Sequence, residues 1–188
     1  MSTPSSPPTP RLTVADSREW RCWLGTHAET PPGVLLVIAK KGTRTPTTLT
    51  YQEALEEALC TGWIDGRRNA LDAGTFLQRF TPRRTGSAWS LRNVEIVARL
   101  TEAGRMRPQG LAEVERARAD GRWERAYAGS ATATVPDELL TALAAHPDAK
   151  AVFAALGRSA RYQLLHPILT APDADARTRR IAALIARL

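Results

Sequence analysis

Residues 60–93 read CTGWIDGRRNALDAGTFLQRFTPRRTGSAWSLRN, and the fold is decided in this stretch. Residues 63–68 have the composition of a strand, 70–74 of a turn, and 75–81 (TFLQRFT) of the strand that returns. Pro82 stops that strand, because proline cannot donate to a ladder. A basic loop over 82–86 leads to Ser90, which is placed to cap a helix over 91–103. Val94, Val97, Ala98 and Leu100 give that helix an apolar face. Six arginines (Arg67, Arg68, Arg79, Arg83, Arg84, Arg92) stand here against two carboxylates, Asp65 and Asp72. An unpaired buried charge costs several kcal/mol, so these guanidiniums must meet water, the few acids or an anionic partner.

The rest of the chain builds outward from this hairpin. Asp16 with Glu19 and Thr50 with Glu53 have capping-box spacing, which predicts helices over 17–26 and 51–60. Trp20 and Trp23 share one face of the first. Between them Pro31, Pro32 and Gly33 punctuate the chain, and VLLVIA (34–39) reads as a buried strand. Gly62 is a plausible helix stop. Beyond Gly104 the pattern turns helical: 108–119, then 137–145 behind Pro136 as its first residue, 148–156, 159–169 with Pro167 set to kink or end it, and 174–188. The expected class is α+β, predominantly helical, with a small antiparallel sheet of about three strands followed by a C-terminal helical bundle. The expected organisation is a disordered leader over 1–11, rich in Pro, Ser and Thr, an α+β core over 12–130, and a helical region over 131–188 packed on it.

Composition narrows the functional classes. A chain of 188 residues can bury roughly 70% of its unfolded surface, and a 43% hydrophobic content is globular. Cys22 and Cys60 show no disulfide or metal spacing, and His27, His146 and His166 lie far apart without HxxxH or HExxH. The glycine spacing matches neither a phosphate-binding loop nor a dinucleotide fingerprint. No metal and no cofactor are therefore expected. No apolar run is long enough to span a bilayer, and the N-terminus lacks the features of a secretory signal, so the expected location is cytoplasmic. The net charge of +7 favours an anionic partner, but the cations are almost all arginine and accompany many alanines, a compositional bias in part.

Within the hairpin, strand alternation puts Trp63, Asp65 and Arg67 on one face. Arg79 precedes the loop that carries Arg83 and Arg84, and helix-start amides after Ser90 attract anions. The expected ligand site is Trp63, Asp65, Arg67, Arg79, Arg83, Arg84, Trp89, Ser90 and Asn93. In it the indoles stack on the ligand, the arginines hold its negative groups, and Ser90 and Asn93 donate hydrogen bonds. The partner is a small anionic or aromatic molecule, and no catalysis is assumed. One alternative is an enzyme with Asp65 as acid/base and the arginines as a substrate clamp. A second is non-specific nucleic-acid binding through Arg105, Arg107, Arg116, Arg118, Arg122 and Arg125, with Arg177, Arg179 and Arg180 of the RTRR run near the end of the sequence. It is the less favoured, because Glu102, Glu113, Glu115, Asp120 and Glu124 interleave with the first group as on a solvated helix face. Cys60, at a helix end among apolar neighbours, reads as a packed thiol.

The segment over 53–123 resembles the YdeI/OmpD-associated (bacteriocin-protection) family. Its pattern runs as EAL-C-x-GWIDG, RFTPRR-x-x-S-x-WS-x-x-N, G-x-M-x-x-x-G and GxW, which stand here at 53–66, 79–93, 104–110 and 121–123. The W-x-x-W at Trp20 and Trp23 and the PGVLLVIAKK that follows are also similar, so the resemblance extends over 16–188. The tail keeps Arg161, Tyr162, Thr178, Arg179, Arg180 and Ile181 but lacks the family's Lys and Glu. The resemblance implies a role in tolerance of bacteriocins, cationic peptides or envelope stress, with no reaction attached. Combined with the Trp/Arg cluster, it leads to the expectation of a stress-tolerance, antibiotic- or bacteriocin-protection (self-resistance) protein.

Overall fold

Asp16 opens α1 (Ser17–Thr26), its carboxylate accepting from the amides of Arg18 and Glu19 at 2.9 and 3.0 Å. Glu19 reaches back to the Ala15 amide at 2.6 Å, one residue further than a strict capping box requires. Thr50 opens α2 (Tyr51–Cys60) with the full box: its hydroxyl accepts from the Glu53 amide, and Glu53 accepts from the Thr50 amide at 2.9 Å. The computed structural model describes residues 9–27 and 32–188. The first eight residues of the expected leader, and Pro31, lie outside the described residues.

Four strands form one sheet in the order β1-β2-β4-β3: β1 (Arg11–Leu12), β2 (Val34–Ala39), β3 (Trp63–Ala70) and β4 (Thr75–Pro82). The expected hairpin β3–β4 is antiparallel, and β2 pairs with β4 antiparallel as well, an order the sequence did not indicate. The fourth, β1, runs parallel to β2 and makes the sheet mixed. It begins at Arg11, inside the expected leader, and Pro10 already accepts the Leu35 amide at 2.8 Å. Two residues are too few to show alternation. The β3–β4 turn is tied by Asp72, which accepts from the Gly74 and Thr75 amides and the Thr75 hydroxyl at 2.7–2.8 Å. These hydrogen bonds, the Thr75 hydroxyl foremost, hold the Asp72 carboxyl below its ordinary range. One of the two carboxylates in the arginine-rich stretch is thus a turn former.

An aromatic core joins α1 to the sheet. Trp20, Trp63 and Phe80 are fully buried. Trp20 stacks on Trp23 at 5.2 Å, and Trp63 meets both edge-on at 6.3 and 5.7 Å. The α1–α2 contact also buries Glu57, 4% exposed, between Arg21 (2.6 Å) and Arg105 (2.7 Å). Arg105 reaches Glu56 as well, at 2.9 Å. Burial acts to raise the Glu57 carboxyl, but its hydrogen bonds and charge pairing with the two arginines outweigh this and hold it below the ordinary glutamate value.

Two further helices complete this part, α3 (Leu91–Glu102) and α4 (Pro108–Ala119). At Gly110, α4 passes so close to the end of α2 that an added Cβ would stand 2.3 Å from the Cys60 carbonyl oxygen.

The chain divides into two compact units: residues up to Ser87 with Asn93–Glu124, and Ala88–Arg92 with Arg125–Leu188. The second unit holds α5 (Asp137–Ala144), α6 (Pro147–Ala155), α7 (Arg158–Leu169) and α8 (Ala174–Ile185). They close on Leu139, Leu143, Phe153, Leu165, Ile168, Ile181 and Leu184. Pro136 stands just before α5 as its cap. Pro167 lies inside α7, which runs two residues past it.

Two outcomes follow. Gly110→Ala forces α4 off the α2 terminus and lowers unfolding stability by about 3 kcal/mol, as overpacking against backbone does. Glu57→Gln, which leaves two arginines without their buried partner, costs about 2–3 kcal/mol near neutral pH. Because the folded Glu57 carboxyl titrates below its unfolded value, its contribution is complete above about pH 4.3 and is lost as pH falls further. Urea unfolding of both chains should therefore show the gap narrowing in acid and constant above pH 6.

Candidate functional site

The strict alternation expected of β3 is broken. Its register with β4 shifts between Asp65 and Arg68, a bulge at Gly66 and Arg67, and Gln78 donates to the Gly66 carbonyl at 2.7 Å. Arg67 is thereby released from the Trp63–Asp65 row and is exposed. Asp65 accepts from the Tyr51 hydroxyl at 2.7 Å, and no Asp65–Arg67 ion pair occurs among the described residues. Arg68 lies over the Phe76 ring at 3.7 Å. Arg79 donates to the Pro32 carbonyl at 3.0 Å, and Arg84 is exposed. Asn93 is buried.

The stacking role expected of the indoles has no open ring face to use. Trp63 is 0% exposed within the aromatic core, and Trp89 is 2% exposed. Both were expected to stack on a ligand because they flank charge, yet large aromatic rings gain most from burial. Trp89 and Ser90 belong to the second unit. There Tyr127 donates its amide to the Trp89 carbonyl at 2.9 Å, and its own carbonyl accepts the Leu91 amide at 2.9 Å.

Of the expected residues, Arg83 lines a pocket. The site grows from the corner where α2 ends. Gly62 takes φ +79°, which a side chain adopts only under strain, and its amide closes on the Leu59 carbonyl at 3.2 Å. The Gly62 carbonyl accepts the Arg83 amide at 3.0 Å, and the Cys60 carbonyl accepts the Arg107 amide at 3.0 Å. A Cβ on Gly62 would stand 3.2 Å from both the Gln109 carbonyl oxygen and Glu113 Cγ. The turn thus holds the end of β4 on one side and α4 on the other. Between them lies a pocket of about 370 Å³ lined by Gly62, Pro82, Arg83, Gln109, Glu113 and Arg116, among others. Arg83 is 6% exposed and Glu113 7%. Arg116, on the rim, donates to Glu113 at 2.5 Å. Sequence reading missed Gln109, and it saw Glu113 and Arg116 only as part of a solvated face. Their spacing of four and then three residues was the available signal, since it puts all three on one side of α4.

Several of the remaining arginines serve structure. Arg105 bridges Glu56 and Glu57, and Arg122, 9% exposed, pairs with Asp120 and donates to the Ser87 carbonyl at 3.0 Å. Cys60, beside the pocket corner, is buried. Burial, followed by the negative charge of Glu57, pushes its thiol up to about 11. Among the described residues no group of three or more His, Cys, Asp or Glu could hold a metal ion.

These features define an α+β protein with a semi-buried arginine–glutamate pocket where its second helix turns into the sheet. The chain belongs to the family described as Domain of unknown function (DUF8412), whose model matches residues 12–113, and its residues 132–188 match the family described as Bacteriocin-protection, YdeI or OmpD-Associated. The second match points to a bacteriocin-protection or YdeI-like role at the level of the family. It falls on the tail, whereas the GWIDG and RFTPRR motifs lie under the first model. No curated protein and no solved structure matches the chain. Among the described residues no helix is long and apolar enough to cross a membrane.

The thiols supply a direct check on the corner. Thiol titration of the native protein should modify the exposed Cys22 readily and Cys60 only on unfolding, since a buried, protonated thiol is a poor nucleophile. Equal rates for the two would mean that the α2 terminus is open.

Proposed function

We propose that this is a protection protein that acts by binding a small anionic molecule in the first unit, with Arg83 at the centre of the site. The observation that supports the reading is that Arg83, almost wholly buried, lines a pocket of about 370 Å³. Pockets of this size suit small metabolites, and a desolvated guanidinium binds carboxylate or phosphate with directional hydrogen bonds. The C-terminal family match supports the protective part of the reading. The aromatic alternative for the ligand loses its support with both indoles buried, and Asp65 does not line this pocket. Structural pairing of Arg105, Arg116 and Arg122 weakens the nucleic-acid reading, which counted them among its cations.

Thermal-shift titration with inorganic phosphate and with small carboxylates tests the reading, because a ligand bound only to the folded state raises Tm. Arg83→Lys keeps the charge but loses the planar fork, and should weaken binding about tenfold. Lys41→Ala, which removes an exposed cation elsewhere, should leave it unchanged. Equal weakening by the two substitutions would reduce the effect to net charge and remove Arg83 from the site.

A further inference from the structure

We propose that the ligand of the Gly62 corner carries a hydrogen-bond donor beside its anionic group, and that Glu113 selects for it. This rests on the reading of the pocket as a small-anion site. Glu113 is 7% exposed; its Oε1 is held by Arg116 Nη2 at 2.5 Å, while its Oε2 is buried with no hydrogen-bond partner among the described residues. A buried carboxylate oxygen without a donor is costly, and such groups in native proteins call for an explanation. A surface ion pair does not supply one. Arg116 has 58% of its side chain exposed and would find Glu113 equally well if the carboxylate stood in water.

Glu113 is instead kept inside by geometry. Its Cγ packs against Gly62, whose carbonyl takes the Arg83 amide. The same glycine therefore fixes the backbone of Arg83 and the side chain of Glu113, two residues that line one pocket. The terminal torsion of a glutamate is soft, so Oε2 can turn toward a donor seated there. A bare anion drawn to Arg83 would meet the negative charge of Glu113, whereas an anion with an ammonium, amide or hydroxyl group would meet an acceptor. The chemical class is a small carboxylate or phosphate bearing such a donor, and amino-acid-like zwitterions are its simplest members.

Three matched pairs test this: glycine with propionate, β-alanine with butyrate, and 4-aminobutyrate with pentanoate. In each pair a methyl group replaces the ammonium. NMR titration following the Gly62 and Gln109 amides reports on the pocket itself. In at least one pair the amino compound should bind about tenfold or more tightly, the scale of a charge-assisted hydrogen bond. Glu113→Gln should abolish that preference while alkanoate binding persists or strengthens. Glu113→Asp keeps the charge and should retain a preference, which carries the test if the glutamine variant folds poorly. Alkanoates binding as tightly as their partners at every length, or a preference that survives Glu113→Gln, would overturn the inference and leave the anion site standing. If none of the six moved the pocket amides at millimolar concentration, both would fall.

Discussion

The end of an α-helix leaves carbonyls with no partner inside the helix, and this fold is organised by how α2 disposes of them. The Cys60 carbonyl takes the Arg107 amide and the Gly62 carbonyl takes the Arg83 amide, each at 3.0 Å. One hydrogen bond ties in the chain entering α4 and the other ties in the chain leaving β4. Gly62 makes the turn by adopting a positive φ, and Gly110 lets α4 come within contact of the same terminus. A side chain at Gly110 would drive α4 off this corner, and one at Gly62 would strain the turn that makes it. The pocket, its arginine and its glutamate are consequences of that junction.

Charge follows the same logic. The net charge is +7, yet the interior acids are where the arginines converge. Glu57 draws in Arg21 and Arg105, and Arg105 continues to Glu56. These pairs fix α1 and the start of the α4 segment on α2, the helix whose far end makes the site. These pairs cancel charge for charge, so the excess of +7 is carried by other cations, among them the exposed Arg67, Arg68 and Arg84. The two carboxylates of the arginine-rich hairpin are likewise occupied, Asp65 by the Tyr51 hydroxyl and Asp72 by its own turn.

Much of the first unit was legible in the sequence because local signals suffice for it. Caps at Asp16 and Thr50, the hairpin, the helix stop at Gly62 and the helix over 108–119 each depend on neighbouring residues. β1 was not legible, because it owes its existence to β2, a partner more than twenty residues away. The bulge at Gly66 and Arg67 was invisible for a related reason, since Gln78 stabilises it from the opposite strand. The indoles were misjudged because sequence proximity to arginines says nothing about which way a ring packs. Of the residues expected at a site, it is Arg83 that lines the candidate pocket. Gln109, Glu113 and Arg116 stand on α4, which the Gly62–Gly110 junction brings to the corner.

Native-state amide hydrogen exchange tests that junction most directly. The Arg83 and Arg107 amides lie outside the regular hydrogen bonding of helix and sheet interiors, so their protection reports the two carbonyl contacts and little else. The account predicts that both exchange as slowly as amides in the middle of α2, through unfolding of the whole first unit. Exchange of either at the rate of an open loop, while α2 stays protected, would show that the α2 terminus does not hold β4 and α4 together.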